Sequence, residues 1–468
     1  METLENVKKV HIIGIGGIGV SAVAKLLLKR STKVSGSDAA AGGMTEELVR
    51  LGADVRIGHD ASYLPDGVEL VVRSDAVPDD NPELVEARKR GVRDLTYFGF
   101  LGEFSKGKRT VAVSGTNGKS TTAAMLGMML VEAGLDPTVI VGSKVPSFPD
   151  GNLRVGKGDL FVVEACEHHA NMLKFHPNVA VITNIEEDHL DFYRDRQHIV
   201  ETFHDFLGQV EKDGLLVLNA DDAACAAEIK TIGRKAVTYG VENDADYRVT
   251  AVTCVDGRQE FDIICREKRS CRFTLRVPGR FNVYNAAAAI AAAAELGATP
   301  EAIHAALDSF SGIWRRFEIV GEHDGALIIS DYGHHPTAVA GTLQAAREFY
   351  PDRPILLVFQ PHHHNRTRKL FGKFVEAVDG ADAVIFPEIF DVVGRESGED
   401  AAVSSRDLQE AVLRRDEGRG VNRRVSYAST LDSAYEETVR LMRPGDIVLV
   451  MGAGDVYTIA DRLIGREG

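Results

Sequence analysis

Thirteen residues, Thr110-Val111-Ala112-Val113-Ser114-Gly115-Thr116-Asn117-Gly118-Lys119-Ser120-Thr121-Thr122, constrain this chain more than any other stretch. Thr110 to Val113 is an apolar run that predicts a buried strand. A glycine-containing turn follows, then Lys119 and Ser120. Ala123, Leu126, Met129 and Leu130 then fall at helical spacing. Strand, glycine loop, Lys-Ser and helix together make a phosphate cradle. Backbone N–H groups and the helix N-terminus face the phosphates, Lys119 reaches the terminal ones, and Ser120 can bind Mg²⁺. The expected binding set is Gly115, Thr116, Asn117, Gly118, Lys119, Ser120 and Thr121. The motif departs from G-x-x-x-x-G-K-[ST] at one place, with Val113 where the first glycine would stand.

A chain of 468 residues is too long for one core, so two to four domains are expected. Hydrophobic content of 44% and charged content of 26% are those of a soluble globular protein. The net charge is −15 and no basic stretch is long enough to track a phosphate backbone, which argues against a nucleic-acid partner. Met1 to Lys9 lacks the apolar core of a signal peptide, and no run reaches the length of a membrane span. The five cysteines are odd in number and lack metal spacing. The expectation is a cytoplasmic protein in a reducing setting, without membrane insertion.

A second glycine loop lies near the N-terminus. Lys8 to Ile13 runs apolar into Gly14-Ile15-Gly16-Gly17-Ile18-Gly19, and a helix pattern covers Ser21 to Leu28. A strand around Thr32 to Ser35 leads to Ser37-Asp38, with Asp38 nineteen positions past Gly19. That arrangement spells a dinucleotide site, although the physics is less specific. A glycine turn lets any diphosphate approach a helix N-terminus, that of a UDP-sugar included. Further βα alternation runs to about Phe104, with Leu70-Val71-Val72 as a short strand and Arg73 to Pro78 as a loop. Asn81-Pro82 starts a helix through Arg88, and Glu103 to Arg109 reads as a linker.

Beyond the phosphate loop, Asp159 to Val163 is a strand ending at Glu164, and Asn178 to Thr183 another, followed by His189. In a parallel sheet, ligands lie at the carboxyl ends of the strands, which places Glu164 and His189 beside the loop. Asp246 to Pro278 alternates around a turn at Asp256-Gly257, suggesting a small antiparallel addition. Gly279 to Asn285 opens an alanine-rich helix to Leu296. A third α/β segment starts near Gly312, with strands at Ala326–Ser330, Ile355–Phe359, Ala383–Phe386, Val425–Tyr427 and Asp446–Val450 and a helix over Leu431–Met442. Asp331 and Gln360 follow two of these strands. The groups His334-His335 and His362-His363-His364 invite a zinc reading, but adjacent histidines point in different directions and rarely share one metal.

Assembled, these stretches resemble the Mur ligases, and among them the members that add L-alanine to UDP-N-acetylmuramate. The carriers are His11 to Gly19, Ser35-Gly36-Ser37-Asp38, Gly115 to Thr122, Thr183-Asn184-Ile185 with Asp188-His189, Arg315-Arg316-Phe317-Glu318, Asp331 to Thr337, Phe359-Gln360-Pro361-His362 and Met451-Gly452-Ala453-Gly454. The resemblance covers essentially the whole chain. It implies an α/β fold of three domains: a Rossmann-like UDP-binding domain over 1–106, a central P-loop ATPase-type domain with a mostly parallel sheet over 107–312, and a Rossmann-like amino-acid-binding domain over 313–468. The implied reaction is ATP-dependent amide ligation through an acyl phosphate, in peptidoglycan precursor synthesis.

The residue roles come with the resemblance. Lys119 neutralises the β/γ-phosphates, Ser120 and Glu164 hold one Mg²⁺, and His189 is the ligand of a second. Asn282 and Asn285 lie near the adenine, Arg316 reaches the ATP phosphates, and Asp331 meets the ribose. Gly16, Gly17, Ile18, Gly19, Asp38 and Ser74 take the UDP-sugar, while Tyr332, His334, His363 and Arg366 face the amino acid. Some relatives carry a carbamylated lysine after the histidine, but no lysine follows His189 here until Lys212. The family pattern Glu-Ala-Asp-Glu reads Glu164-Ala165-Cys166-Glu167, and an arginine is usual where His363 stands. A monomer or weak homodimer is expected. Two rivals remain at this point: an NAD-dependent dehydrogenase, which leaves Lys119, Ser120, Glu164 and His189 unexplained, and a nucleotide switch without a two-substrate site.

Overall fold

The computed structural model describes residues 4–189, 192–255, 257–266, 269–391 and 403–466. Three α/β sheets follow one another along the chain. In the first, strands β1 (Lys9–Ile13), β2 (Lys33–Asp38), β3 (Asp54–Ile57), β4 (Leu70–Arg73) and β5 (Arg93–Thr96) run parallel in the order β3-β2-β1-β4-β5. Helices α1 (Ile18–Lys29), α2 (Gly43–Arg50), α3 (Pro82–Lys89) and α4 (Tyr97–Ser105) connect and follow them. The expected linker, Glu103 to Arg109, is shorter than read: Glu103 to Ser105 complete α4, Arg109 opens the next strand, and only Lys106 to Lys108 join them. The reason is packing, because the Phe104 ring meets that of Phe161 edge-on at 5.1 Å.

The second sheet is built around β6 (Arg109–Ser114), followed by α5 (Lys119–Glu132). Strands β7 (Thr138–Ile140), β8 (Leu153–Arg154), β9 (Leu160–Glu164), β10 (Val179–Ile182), β11 (Leu215–Asn219) and β12 (Ala236–Gly240) come next, with α6 (Arg196–Gly208) and α7 (Ala223–Thr231) between the last of them. Three more strands, β13 (Tyr247–Val255), β14 (Arg258–Cys265) and β15 (Ser270–Leu275), extend one edge; Asp256, expected in a turn there, lies outside the described residues. The order is β15-β14-β13-β12-β11-β10-β6-β9-β7-β8. Helices α8 (Arg280–Glu295) and α9 (Pro300–Ser309) follow. Strand β6 lies parallel between β9 and β10, with Val111 opposite Val162 on one side and Val179 on the other. Both faces of such a strand are covered, which is why Thr110 to Ser114 are all buried. The same register brings Ser114, Glu164 and Thr183 out at one carboxyl edge.

The first two sheets belong to one compact unit, Met1–Thr253 with Glu260–Leu275 and Asn282–Ser311. One apolar cluster runs through both, from Val10 and Leu26 by way of Phe100 and Phe104 to Phe161 and Phe175. A polar fastening lies beside it. Lys25 of α1, 2% exposed, donates to Asp150 O at 2.9 Å and Asn152 Oδ1 at 3.3 Å, and pairs with Glu47 at 2.6 Å. The buried Asn152 amide donates back to Ile18 O and to Ser21 Oγ.

The other unit comprises Gly312–Gly468 with two short segments, Cys254–Gln259 and Arg276–Phe281. Its sheet has β16 (Glu318–His323), β17 (Ala326–Asp331), β18 (Ile355–Phe359), β19 (Ala383–Pro387), β20 (Arg424–Ala428) and β21 (Ile447–Met451), in the order β16-β17-β21-β18-β19-β20. Only β16 is antiparallel to its neighbour. Helices α10 (Pro336–Phe349), α11 (His364–Lys369), α12 (Phe371–Ala377), α13 (Ser405–Arg419), α14 (Leu431–Leu441) and α15 (Tyr457–Leu463) complete it. Among the described residues, no helix is long and apolar enough to cross a membrane.

Candidate active site

The phosphate loop leaves β6 at Ser114 and re-enters regular structure at Lys119, the first residue of α5. Two of its residues turn with positive φ, Gly115 at 133° and Gly118 at 87°. Neither position has room for a side chain. A Cβ at Gly115 would stand 2.0 Å from Thr183 Oγ1, and one at Gly118 would stand 2.2 Å from Asn285 Oδ1.

The chain after β10 clasps this loop. Thr183 Oγ1 donates to Asn117 O at 2.6 Å. The Asn184 amide grips the Asn117 backbone twice, accepting from its N–H at 2.9 Å and donating to its carbonyl at 3.0 Å. Thr116 N donates to Asn184 O at 3.0 Å, and Glu186 N donates to Thr116 Oγ1 at 2.8 Å. Thr183 and Asn184 thus shape the cradle; α8 adds the buried Asn285, whose Nδ2 donates to Asn282 Oδ1 at 3.0 Å.

Lys119 curls back over the loop. Its ammonium donates to Gly115 O at 2.6 Å and Thr116 O at 3.0 Å, and lies 2.8 and 3.0 Å from the two carboxylate oxygens of Glu167. Burial alone would lower its pKa; the charge and hydrogen bond of Glu167, together with Cys166 and Glu164 nearby, outweigh that and hold it above the ordinary lysine value. Ser120 Oγ donates to Glu164 Oε2 at 2.9 Å, and the Gly142 N–H donates to the other oxygen of Glu164. A hydroxyl and a carboxylate adjoining a phosphate cradle are the hard oxygen donors that Mg²⁺ takes alongside substrate phosphates, so these two residues fit that ion.

His189 Nε2 lies 3.5 Å from Glu167 Oε1, and its ring stacks on that of His168 with centroids 4.1 Å apart. His169, Ala170 and His189 all hold left-handed backbone, at φ of 54°, 52° and 54°. Non-glycine residues adopt it at a cost that the surrounding fold must offset, and such strain collects at functional sites. Cys166, where the family pattern carries an acid, has its thiol pushed up to about 12 by burial and by Glu167, so it is no nucleophile near neutral pH.

In the first sheet, Gly14 N and Ile15 N both donate to Ser37 O, at 2.8 and 3.0 Å. Asp38 accepts from Gly16 N at 2.8 Å, and the Ser74 Cβ lies 3.0 Å from where a Gly14 side chain would begin. Gly19 is required because a Cβ would meet the Tyr97 ring at 2.9 Å. The structure therefore gathers Gly16, Gly17, Ile18, Gly19, Asp38 and Ser74 at one strand-to-helix turn. Behind it, Glu83 is fully buried, 2.6 Å from His11 Nε2 and 2.9 Å from His59 Nδ1, and accepts from Ser37 Oγ at 2.7 Å.

The remaining expected residues belong to the unit that begins at Gly312. Asp331 is buried, accepting from Phe317 N at 2.8 Å and Gly333 N at 2.6 Å, with burial raising its pKa against the pull of Arg316. The paired arginines differ. Arg315 is buried, donating to Gly452 O and Gly454 O and lying over Tyr332 and Tyr457, whereas Arg316 is exposed beside Tyr332. The His334 ring meets Tyr332 edge-on at 5.4 Å and lies 5.7 Å from His362. His363, at φ 68°, caps α11 just before its first residue, with Nδ1 3.3 Å from Asp391 Oδ1, and Arg366 sits half-buried in that helix. His364 shares the Asp391 carboxylate at 2.9 Å.

Sequence reasoning missed Glu167 as a partner of Lys119, and Thr183 and Asn184 as makers of the loop. The signal for Glu167 was its place three residues after Glu164, on a chain folding back from the strand end.

Three family models match in chain order: "Mur ligase family, catalytic domain" over residues 9–109, "Mur ligase middle domain" over 113–293 and "Mur ligase, glutamate ligase domain" over 315–454. The chain belongs to the Mur ligase family. As a Mur ligase it is similar to UDP-N-acetylmuramate–L-alanine ligases of Clostridium novyi, at 39% identity over 98% of both chains, and of Clostridium tetani, at 40% over 98% of both. Among solved structures it resembles UDP-N-acetylmuramate-alanine ligase from Thermotoga maritima, with a TM-score of 0.84, 29% identity and 98% of each chain covered. A murein peptide ligase from Psychrobacter arcticus shares the fold at a TM-score of 0.72, 23% identity and the same coverage. Membership of the Mur ligases removes the dehydrogenase reading of the first glycine loop.

Proposed function

We propose that this Mur ligase joins L-alanine to the carboxylate of UDP-N-acetylmuramate, driven by ATP, in peptidoglycan precursor synthesis in the cytoplasm. The observation that carries the reading is the cradle itself: Lys119 over a glycine loop, with the Ser120–Glu164 pair alongside. The relatives at 39–40% identity over nearly the whole chain supply the substrates.

A carboxylate is a poor electrophile, so the reaction needs an activated acyl group. Transfer of the ATP γ-phosphoryl to the UDP-N-acetylmuramate carboxylate gives an acyl phosphate and ADP; attack by the alanine amine then expels phosphate. Phosphoryl transfer asks the protein for alignment and charge neutralisation. Loop N–H groups and the α5 N-terminus would take phosphate oxygens, and Lys119 would offset charge at the β/γ positions. Ser120 and Glu164 would hold Mg²⁺, which supplies further neutralisation of the phosphates. His189 is assigned to the acyl-phosphate side, Asn282 and Asn285 to the adenine, and Arg316 and Asp331 to the ATP phosphates and ribose. The glycine turn of residues 14–19 with Asp38 and Ser74 is assigned to the UDP diphosphate, and Tyr332, His334, His363 and Arg366 to the amino acid. Residues 1–106, 107–312 and 313–468 are the corresponding functional domains.

The test is ADP release with UDP-N-acetylmuramate against every proteinogenic amino acid. Release that requires both the UDP-sugar acid and L-alanine supports the reading. Release with neither, or with another amino acid only, overturns it.

A further inference from the structure

Lys119 is paired with the buried carboxylate of Glu167, and the proposed reaction assigns no task to Glu167. An ammonium has three N–H donors. Around Lys119 they meet Gly115 O, Thr116 O and the Glu167 carboxylate. The two carbonyls belong to the loop and keep the lysine over it. A phosphate oxygen that engages Lys119 must therefore take the place of Glu167, or share it. Glu167 is also a full negative charge beside the place where a polyphosphate would land.

The fold invests in holding that charge there. Glu167 is 3% exposed, and burial by itself would raise its pKa, yet Lys119 and His189 keep it below the ordinary glutamate value. Its main chain is tied as well: its carbonyl accepts from Ala170 N at 2.9 Å and from the hydroxyl of the buried Tyr193. The left-handed turn at His169 and Ala170 follows closely, and the neighbouring His168 ring stacks on that of His189.

We infer that Glu167 is the exchange partner of Lys119, a positioning residue that restrains nucleotide affinity and in return aligns Lys119 and His189 for turnover. The inference rests on the nucleotide reading of this loop. Its signature is a split. Removing the charge relieves repulsion of the β/γ-phosphates and releases Lys119, so nucleotide binds more tightly. The same change leaves Lys119 and His189 less well aimed, so turnover falls.

The experiment compares Glu167→Gln with wild type in ATP, ADP and AMP binding by titration calorimetry, and in steady-state ADP release. For Glu167→Gln, the ATP and ADP dissociation constants should fall about three- to tenfold, the size of one screened unit charge. AMP binding should not change, and kcat should drop at least about tenfold through lost alignment. Glu167→Ala, which also removes the charge, serves if the glutamine variant does not fold, with the same directions expected. Weaker or unchanged ATP binding in a folded variant, or an equal change for AMP, overturns the inference. Lys119→Ala is the separate control: if it still binds ATP like wild type, the nucleotide reading of the loop fails instead.

Discussion

Gly118→Ala probes the junction on which the phosphate loop depends. Gly118 caps α5 at φ 87° and ψ −4°, and a Cβ there would sit 2.2 Å from Asn285 Oδ1. Two costs follow. The left-handed backbone costs an L-residue about 1–2 kcal/mol. Asn285 must also retreat by roughly 1 Å to reach an ordinary non-bonded separation. It is buried on α8, and moving it gives up the bond to Asn282 and the 3.4 Å contact with Thr122 Oγ1. Leaving such a buried amide unsatisfied costs about 1–3 kcal/mol. Together the destabilisation should be about 2–5 kcal/mol, a large share of the stability of an ordinary domain. Urea unfolding measures it. Gly118→Ala combined with Asn285→Ala removes the steric obstacle but not the backbone strain, so the double variant should regain part of the loss and stay about 1–2 kcal/mol below Asn285→Ala alone. A single variant as stable as wild type, or a double variant no better than additive, would refute the reasoning.

Lys119→Ala should lower ADP formation by at least about 10²–10³-fold, as for a lost electrostatic stabiliser, with circular dichroism unchanged. Glu164→Ala should do the same and shift the Mg²⁺ concentration for half-maximal rate upward; an unchanged Mg²⁺ curve would count against its assigned ligation. Glu83 bears on pH. Burial would raise its carboxyl, but hydrogen bonds with His11, Ser37 and His59 hold it below its ordinary value. A carboxylate held low stabilises the fold above its unfolded value of about 4.3, and that contribution is lost as pH falls through the folded value. Wild type should therefore lose stability more steeply than Glu83→Gln on acidification below about pH 4.3, as thermal melting across pH would show. His363→Arg should lower the Michaelis constant for L-alanine, because arginine offers a carboxylate two parallel hydrogen bonds where histidine offers one; rates against alanine, serine and glycine decide it.

Features that depend on a few consecutive residues are legible in the amino-acid order itself. The apolar run Thr110 to Val113, the turn into Lys119 and the alternation of strands and helices are local, and β6, α5 and their neighbours follow them. The end of α4 is not. Glu103 to Arg109 is polar enough to read as a linker, and only the Phe104–Phe161 contact, between residues far apart in sequence, shows why the helix runs through Ser105. Within the site, Glu164 and His189 can be placed from strand ends. Glu167 is harder: its place three residues after Glu164 puts it near the loop, but its pairing with Lys119 shows only once the chain has turned back at the strand end. The two arginines at 315 and 316 show the same limit. Adjacent letters of one type separate into a buried anchor and an exposed side chain only when Gly452 and Gly454 of a distant segment are brought alongside.

The Lys25 fastening bears on how this chain melts. An ammonium held by Asp150 O and Asn152, beside an apolar cluster that runs from Val10 to Phe175, leaves no plane along which the first two sheets can part without breaking those hydrogen bonds and exposing several aromatic rings to water. Heat-capacity scans should therefore show two cooperative transitions for three sheets, with the first two sheets absorbing heat in a single peak. Lys25→Met, which keeps the length of the side chain and removes its charge, should leave that peak single, because the shared aromatic cluster still couples the sheets. A fragment ending at residue 106 should melt well below its temperature in the whole chain, since the partner of its Phe104 face has been cut away.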